Sequence, residues 1–167
     1  MSGRAWVFGD DVDTDVLAPG RYMRLPIAEL AKHCLEALDP RFAKEVQPGD
    51  IVVGGRNFGL GSSREQAAEA LKTLGVAAVV ARSFAGIFHR NAINLGLPVV
   101  VCPDAGRIAA GDRLTLDLAA GTLVNATAGE TLTFRPLAPV LMTLIADGGL
   151  VPHLEKRFRA PTTERSA

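Results

Sequence analysis

The sequence predicts an α/β fold in which a small parallel layer with crossover helices meets an antiparallel β-hairpin layer. Between residues 51 and 102, short runs rich in β-branched residues alternate with segments of helical period, giving strand, helix, strand, helix, strand. Beyond Gly111 the period shortens to two. Leu114, Leu116 and Leu118 alternate with polar residues, and Leu132 and Phe134 alternate again after Gly129.

Ala5-Trp6-Val7-Phe8, closed by Gly9, reads as a first strand, followed by a loop rich in Asp, Gly and Pro over 10–26. Over 27–38 the apolar residues Ile27, Leu30, Ala31, Cys34, Leu35 and Leu38 share one helical face, which predicts a helix. Pro48-Gly49-Asp50 then turns the chain into the strand Ile51-Val52-Val53. A helix is expected over 62–74, with Gly75 as its stop, and the unbroken apolar run 76–81 suits a strand buried on both faces. A helix over 83–95 stopping at Gly96 and a strand over 97–102 complete the parallel layer. After the hairpins, 139–146 resumes a helical pattern ended by Gly148-Gly149, and a shorter helix is expected over 152–158. Residues 1–159 are read as one domain and the polar stretch 160–167 as a disordered tail.

Composition narrows the function. Of 167 residues, 48% are hydrophobic and 22% charged, as in a soluble globular chain, and 18 basic residues balance 18 acidic ones. Nothing in that balance argues for nucleic acid or a membrane surface as partner. No apolar run approaches the roughly 20 residues needed to span a bilayer, and Met1-Ser2-Gly3-Arg4 is no signal peptide, so the cytoplasm is the simplest compartment. Cys34 and Cys102 lie far apart and read as reduced thiols, while His33, His89 and His153 share no ligand spacing. Asp11-x-Asp13-x-Asp15 opens like a calcium loop, but Val16 stands where the turn glycine belongs and Tyr22 where the bidentate glutamate belongs. No metal site is expected in this chain. The aspartates read instead as residues that cap, orient or accept bonds from arginines.

The most informative stretch is Gly54-Gly55-Arg56-Asn57-Phe58-Gly59-Leu60-Gly61-Ser62-Ser63-Arg64-Glu65-Gln66. It lies where an apolar strand gives way to an alanine-rich helix, so it places two hydroxyls and a cation at an expected helix N-terminus, which favours negative charge. Ser62-x-x-Glu65 and Ser63-x-x-Gln66 also fit the capping box, so helix-starting and anion-holding roles are both open. A Walker loop would need Gly-Lys-Ser/Thr, a nucleophile elbow Gly-x-Ser-x-Gly and a dinucleotide fingerprint a third, correctly spaced glycine. None occurs here.

Taken in order, Phe8-Gly9-Asp10-Asp11-Val12-Asp13-Thr14-Asp15, Gly20-Arg21-Tyr22, Ser62-Ser63-Arg64-Glu65-Gln66-Ala67 and Ser83-Phe84-Ala85-Gly86-Ile87-Phe88-His89-Arg90-Asn91-Ala92-Ile93-Asn94 resemble the small subunits of isopropylmalate dehydratase. These subunits are similar to the mobile C-terminal swivel domain of aconitases, and the resemblance runs from residue 4 to about 158. Leu60 stands where many members carry Cys and Gly86 where many carry Arg; neither position bears a role named here.

The resemblance implies a swivelling β/β/α domain that is half of a hydro-lyase. A separate large subunit, paired with it as a heterodimer or heterotetramer, would hold a 4Fe–4S cluster, while this chain binds no cofactor itself. The reaction implied is removal of water from a 2-hydroxy-dicarboxylate and its re-addition at the neighbouring carbon. Carried over residue by residue, the resemblance makes Ser62 the catalytic base, has Arg64 bind a substrate carboxylate and has Ser63 hydrogen-bond the substrate.

In the family the loop after Tyr22 separates substrates. Met23, Leu25 and Pro26 would suit the apolar branch of isopropylmalate, whereas Arg24 would pair with the extra carboxylate of homoaconitate-type or citrate-like acids. Isopropylmalate stands first, with homoaconitate and other malate derivatives next. A reading from another class is a stand-alone anion-binding module that uses the same turn without chemistry.

Overall fold

The computed structural model describes residues 1–159. The expected tail, 160–167, lies outside the described residues. Seven strands are found among the described residues: β1 Ser2–Val7, β2 Ile51–Gly54, β3 Ala78–Ala81, β4 Val99–Val101, β5 Arg113–Asp117, β6 Thr122–Asn125 and β7 Glu130–Thr133. They form one mixed sheet of order β4-β3-β2-β1-β5-β6-β7. The helices are α1 Thr14–Leu17, α2 Ile27–Leu30, α3 Phe42–Glu45, α4 Gln66–Thr73, α5 Gly86–Asn94, α6 Pro139–Ala146 and α7 Leu150–Arg159.

One strand joins the two expected layers. Residues 5–7 of β1 run parallel to β2, with Ala5 opposite Ile51 and Val7 opposite Val53. Residues 2–4 pair antiparallel with β5, with Ser2 opposite Thr115 and Arg4 opposite Arg113. Period-two alternation then sorts the core. Trp6, Val52, Val79 and Val99 face a cluster containing Ala67, Leu71, Phe88 and Ala92 of α4 and α5. Ala5, Ile51, Val53 and Val80 face the opposite way, toward Leu114, Leu116, Leu123 and Leu132 of the hairpins. The antiparallel half therefore covers one face of the parallel half and the helices cover the other, which is the β/β/α layering expected. All four residues of β2 and of β3 are buried, while β5 alternates exposed and buried.

The helix stops fall where the glycines put them. After α4, Gly75 N donates to Lys72 O and Val76 N to Leu71 O. After α5, Gly96 N donates to Ile93 O and Leu97 N to Ala92 O, the same Schellman closure.

Three expectations need correction. The stretch 27–38 is not one helix: α2 passes into a 3₁₀ turn over Ala31–His33, and Leu35 adopts φ +59° because its N–H is drawn to Val16 O at 2.9 Å. Its helical period comes from Leu30, Ala31, Cys34 and Leu35 being buried by successive turns instead. The helix expected over 83–95 begins only at Gly86. Ser83 O accepts from Phe58 N and Ser83 Oγ from Asn57 N, which ties 83–85 to the glycine-rich turn. The loop 10–26 contains α1, capped by Asp13 Oδ1 on Val16 N, and a 3₁₀ turn at Gly20–Tyr22.

Where the two halves of the sheet meet, buried Asp50 accepts from Trp6 Nε1 at 2.9 Å, Gln47 N at 3.0 Å and Arg4 N at 3.1 Å. Asp50→Ala strands these donors, Trp6 Nε1 among them in the core, and is expected to cost about 3 kcal/mol. Urea unfolding followed by Trp6 fluorescence checks it.

Candidate active site

Strand β2 ends at Gly54, and the chain leaves the sheet as a turn stitched to its surroundings. Phe58 is buried and packs edge-on to Phe84 and Phe88, with ring centroids 6.0 and 5.4 Å away. Phe58 N donates to Ser83 O, Ala85 N to Phe58 O and Gly59 N to Val12 O. Gly59 (φ +81°) and Gly61 (φ +115°) occupy the left-handed region, and neither has room for a side chain. A Cβ on Gly59 would lie 2.2 Å from Phe88 Cγ, and one on Gly61 would lie 2.8 Å from Thr14 Oγ1.

Several contacts fasten the far end of this turn to α1 and its flanks. Thr14 is buried; its Oγ1 accepts from Ser62 N at 3.0 Å and lies 3.0 Å from Ser62 Oγ. A backbone bond from Thr14 N to Leu60 O and a bridge between Asp13 and Leu60 hold the same two segments. Arg64 Nη1 donates to Asp15 Oδ1 at 2.8 Å and to Ala18 O at 3.1 Å. The Asp15 carboxyl is held below its ordinary range, first by the Arg64 hydrogen bond and then by Gly20 N–H. The pair therefore persists at neutral pH and is lost only as pH falls through that lowered value. Both side chains are partly exposed, so the pair orients Arg64 more than it stabilises the fold.

These anchors explain why, of the two roles left open for the serines, helix-starting is not the one they take, and why the helix expected from 62 begins later. Helix α4 starts at Gln66, its N-cap position is Glu65 with no side-chain cap bond, and neither serine begins it. Ser62 and Ser63 sit on exposed turn instead. The backbone N–H groups of Ser63, Arg64 and Glu65 donate to no described residue. Asn91 Nδ2, from α5, holds Ser63 O at 3.3 Å.

Ser62, Ser63 and Arg64 thus lie together, whereas Arg24 is on a separate exposed loop and bonds to none of them. The start of its loop is pinned. The Tyr22 ring stacks on His33 at 3.6 Å, and Glu36 accepts from Arg21 at 2.9 Å and lies 2.7 Å from His33 Nδ1. Between this loop and α1 lies a shallow concavity of about 340 Å³ lined by Asp15, Pro19, Gly20, Arg21 and Glu36. The expectation that the loop's aspartates accept bonds from arginines holds for Asp15, but sequence reasoning did not single out Arg64 as its partner or Thr14 as the second tether of the serine–arginine turn.

The remaining acidic groups behave as expected of a turn. Asp10 accepts from Arg56 N at 2.6 Å, and Asp11 from Asn57 Nδ2 at 3.2 Å. The cysteines do not fit an iron–sulfur cluster. Cys34 lies in the helix-side core and Cys102 in the hairpin-side core, and burial pushes both thiols up. No group of three or more His, Cys, Asp or Glu able to hold a metal occurs among the described residues, and no helix there is long and apolar enough to cross a membrane.

The family model for the aconitase C-terminal domain matches residues 31–104. A 3-isopropylmalate dehydratase small subunit of Archaeoglobus fulgidus is 51% identical over 158 residues, covering 93% of this chain and 95% of the relative. One from Thermotoga maritima is 50% identical, covering 96% and 98%. A methanogen homoaconitase small subunit of Methanothermobacter thermautotrophicus is 51% identical, covering 93% and 91%. The crystal structure of a 3-isopropylmalate dehydratase from Methanocaldococcus jannaschii superposes with a TM-score of 0.89 at 45% identity, covering 94% of each chain. The chain belongs to the family of isopropylmalate dehydratase small subunits.

Proposed function

We propose that this chain is the small subunit of a hydro-lyase that converts 2-isopropylmalate to 3-isopropylmalate by dehydration and rehydration. Ser62 takes the proton from the carbon beside a carboxylate, Arg64 holds a substrate carboxylate and Ser63 hydrogen-bonds the substrate. The reading rests on one observation: Ser62 and Arg64 leave the same tethered turn, both reach the surface, and Thr14, Asp15 and Ala18 hold them in place. A serine is a weak base and needs fixed donors around the charge it acquires. The N–H groups of residues 63–65, which follow Ser62 directly and donate to no described residue, would serve as such donors. Arg64 engages only Nη1 with described residues, which leaves Nη2 and Nε to meet a carboxylate as a fork.

The site is an open surface and so needs a second wall. A cluster-bearing large subunit would supply it, together with iron to activate the substrate hydroxyl; the two buried cysteines here cannot hold such a cluster.

Homoaconitase or a broader malate-derivative activity is the second reading. One thing favours it: the methanogen homoaconitase relative is as similar as the isopropylmalate relatives. Turnover of isopropylmalate, homocitrate and citrate by the chain reconstituted with its large subunit decides the substrate. Arg24→Val is expected to raise the ratio of isopropylmalate to homocitrate kcat/KM by about 10-fold or more. An unchanged ratio removes Arg24 from selectivity, and no turnover of any of the three acids leaves another malate derivative as substrate or the anion-binding module.

A further inference from the structure

We propose that Thr14 is a positioning residue for the base, donating its hydroxyl hydrogen to Ser62 Oγ once that oxygen has become an alkoxide. This rests on the reading of Ser62 as the base. A threonine hydroxyl has one hydrogen to give and lone pairs to receive with. Thr14 Oγ1 already receives Ser62 N–H at 3.0 Å, and its other partner among the described residues is Ser62 Oγ, also at 3.0 Å. While both hydroxyls are protonated, either can donate in that contact. An alkoxide only accepts, so after deprotonation the hydrogen between the two oxygens is Thr14's.

Thr14 keeps its proton throughout. Ser62 gives its own proton to bulk water, then takes the substrate's carbon-bound hydrogen as a proton while that bond's electron pair forms the carbon–carbon double bond and hydroxide departs. It returns a proton to carbon when water re-adds. The residue is 3% exposed and its backbone is locked by Thr14 N to Leu60 O at 2.8 Å, so the hydroxyl is held against Ser62 and away from bulk water. The charged groups nearby are engaged elsewhere. Asp13 caps Val16 N, and Asp15 is shared by Arg64 and Gly20. Among the described residues, Thr14 is therefore the one side chain bonded to Ser62 Oγ.

The test uses the enzyme reconstituted with its large subunit and reads kcat and KM across pH for Thr14→Val, Thr14→Ala, Thr14→Ser and Ser62→Ala. Removing the hydroxyl is expected to lower kcat about 10- to 100-fold with KM little changed. The limb on which kcat rises with pH should move to higher pH, because an oxygen without its donor parts with its proton less readily. Thr14→Ser should restore both rate and profile. Thermal unfolding identifies which of the Val and Ala variants keeps the fold, and that one is scored. An unmoved limb in that variant overturns the proposal, whether kcat is unchanged or lowered, since a lowered rate alone is what damaged packing gives. Failure of Thr14→Ser to rescue overturns it too. If Ser62→Ala is inactive while the Thr14 variants match the unaltered enzyme, this inference alone falls. If Ser62→Ala is active, the reading of the base falls first.

Discussion

Ser62→Ala, combined with the large subunit, is expected to lose at least about 10³-fold in kcat while substrate affinity stays within a few-fold. The hydroxyl is exposed on a turn whose fold depends on its neighbours: Ser62 N on Thr14, Arg64 on Asp15 and Ala18, Gly59 N on Val12. Replacing the hydroxyl with hydrogen keeps all of these and loses only the contact with Thr14 Oγ1, so the variant should fold normally and melt within about 4 °C of the unaltered protein. Substrate binding draws chiefly on Arg64 and the partner subunit, and titration calorimetry should find it nearly intact. Near-normal turnover would reduce Ser62 to a surface residue.

The second large effect falls on Arg64. Arg64→Ala is expected to raise KM about 100-fold or more, because a desolvated carboxylate loses a forked, charge-assisted partner. Arg64→Lys should recover only part of the loss. An ammonium keeps the charge but cannot hold Asp15 with one nitrogen and present a planar edge with the others. Steady-state kinetics of the two variants separate charge from geometry: equal KM values for Lys and Arg would mean that charge alone matters at this position.

How far the sequence carried depended on how local the cause was. Strands β2 and β3 and the stops at Gly75 and Gly96 were legible because each follows from a few consecutive residues. The layering was legible from the change of period near Gly111. Two things were not. Ser62 and Ser63 matched a capping box, yet α4 begins at Gln66 because Thr14, 48 residues away, takes Ser62 N–H and Asp15 takes Arg64. Likewise the helical period over 27–38 gave no hint of Leu35 turning to φ +59° to reach Val16 O. In both cases a contact between distant segments outweighed the local pattern, and in the first that contact builds the candidate site. Ser62, Ser63 and Arg64 were found because they are consecutive; Thr14 and Asp15 were not recognised as their supports because they are far away in sequence.

The step assigned to Ser62 is the breaking of one carbon–hydrogen bond. The reconstituted pair is therefore incubated in D₂O, and deuterium entering the substrate at the carbon beside the carboxylate is followed by NMR, for the unaltered small subunit and for Ser62→Ala. Exchange should be rapid with the serine, absent without it and absent when either subunit is alone. Exchange at the unaltered rate in Ser62→Ala would mean that the proton is taken by another group.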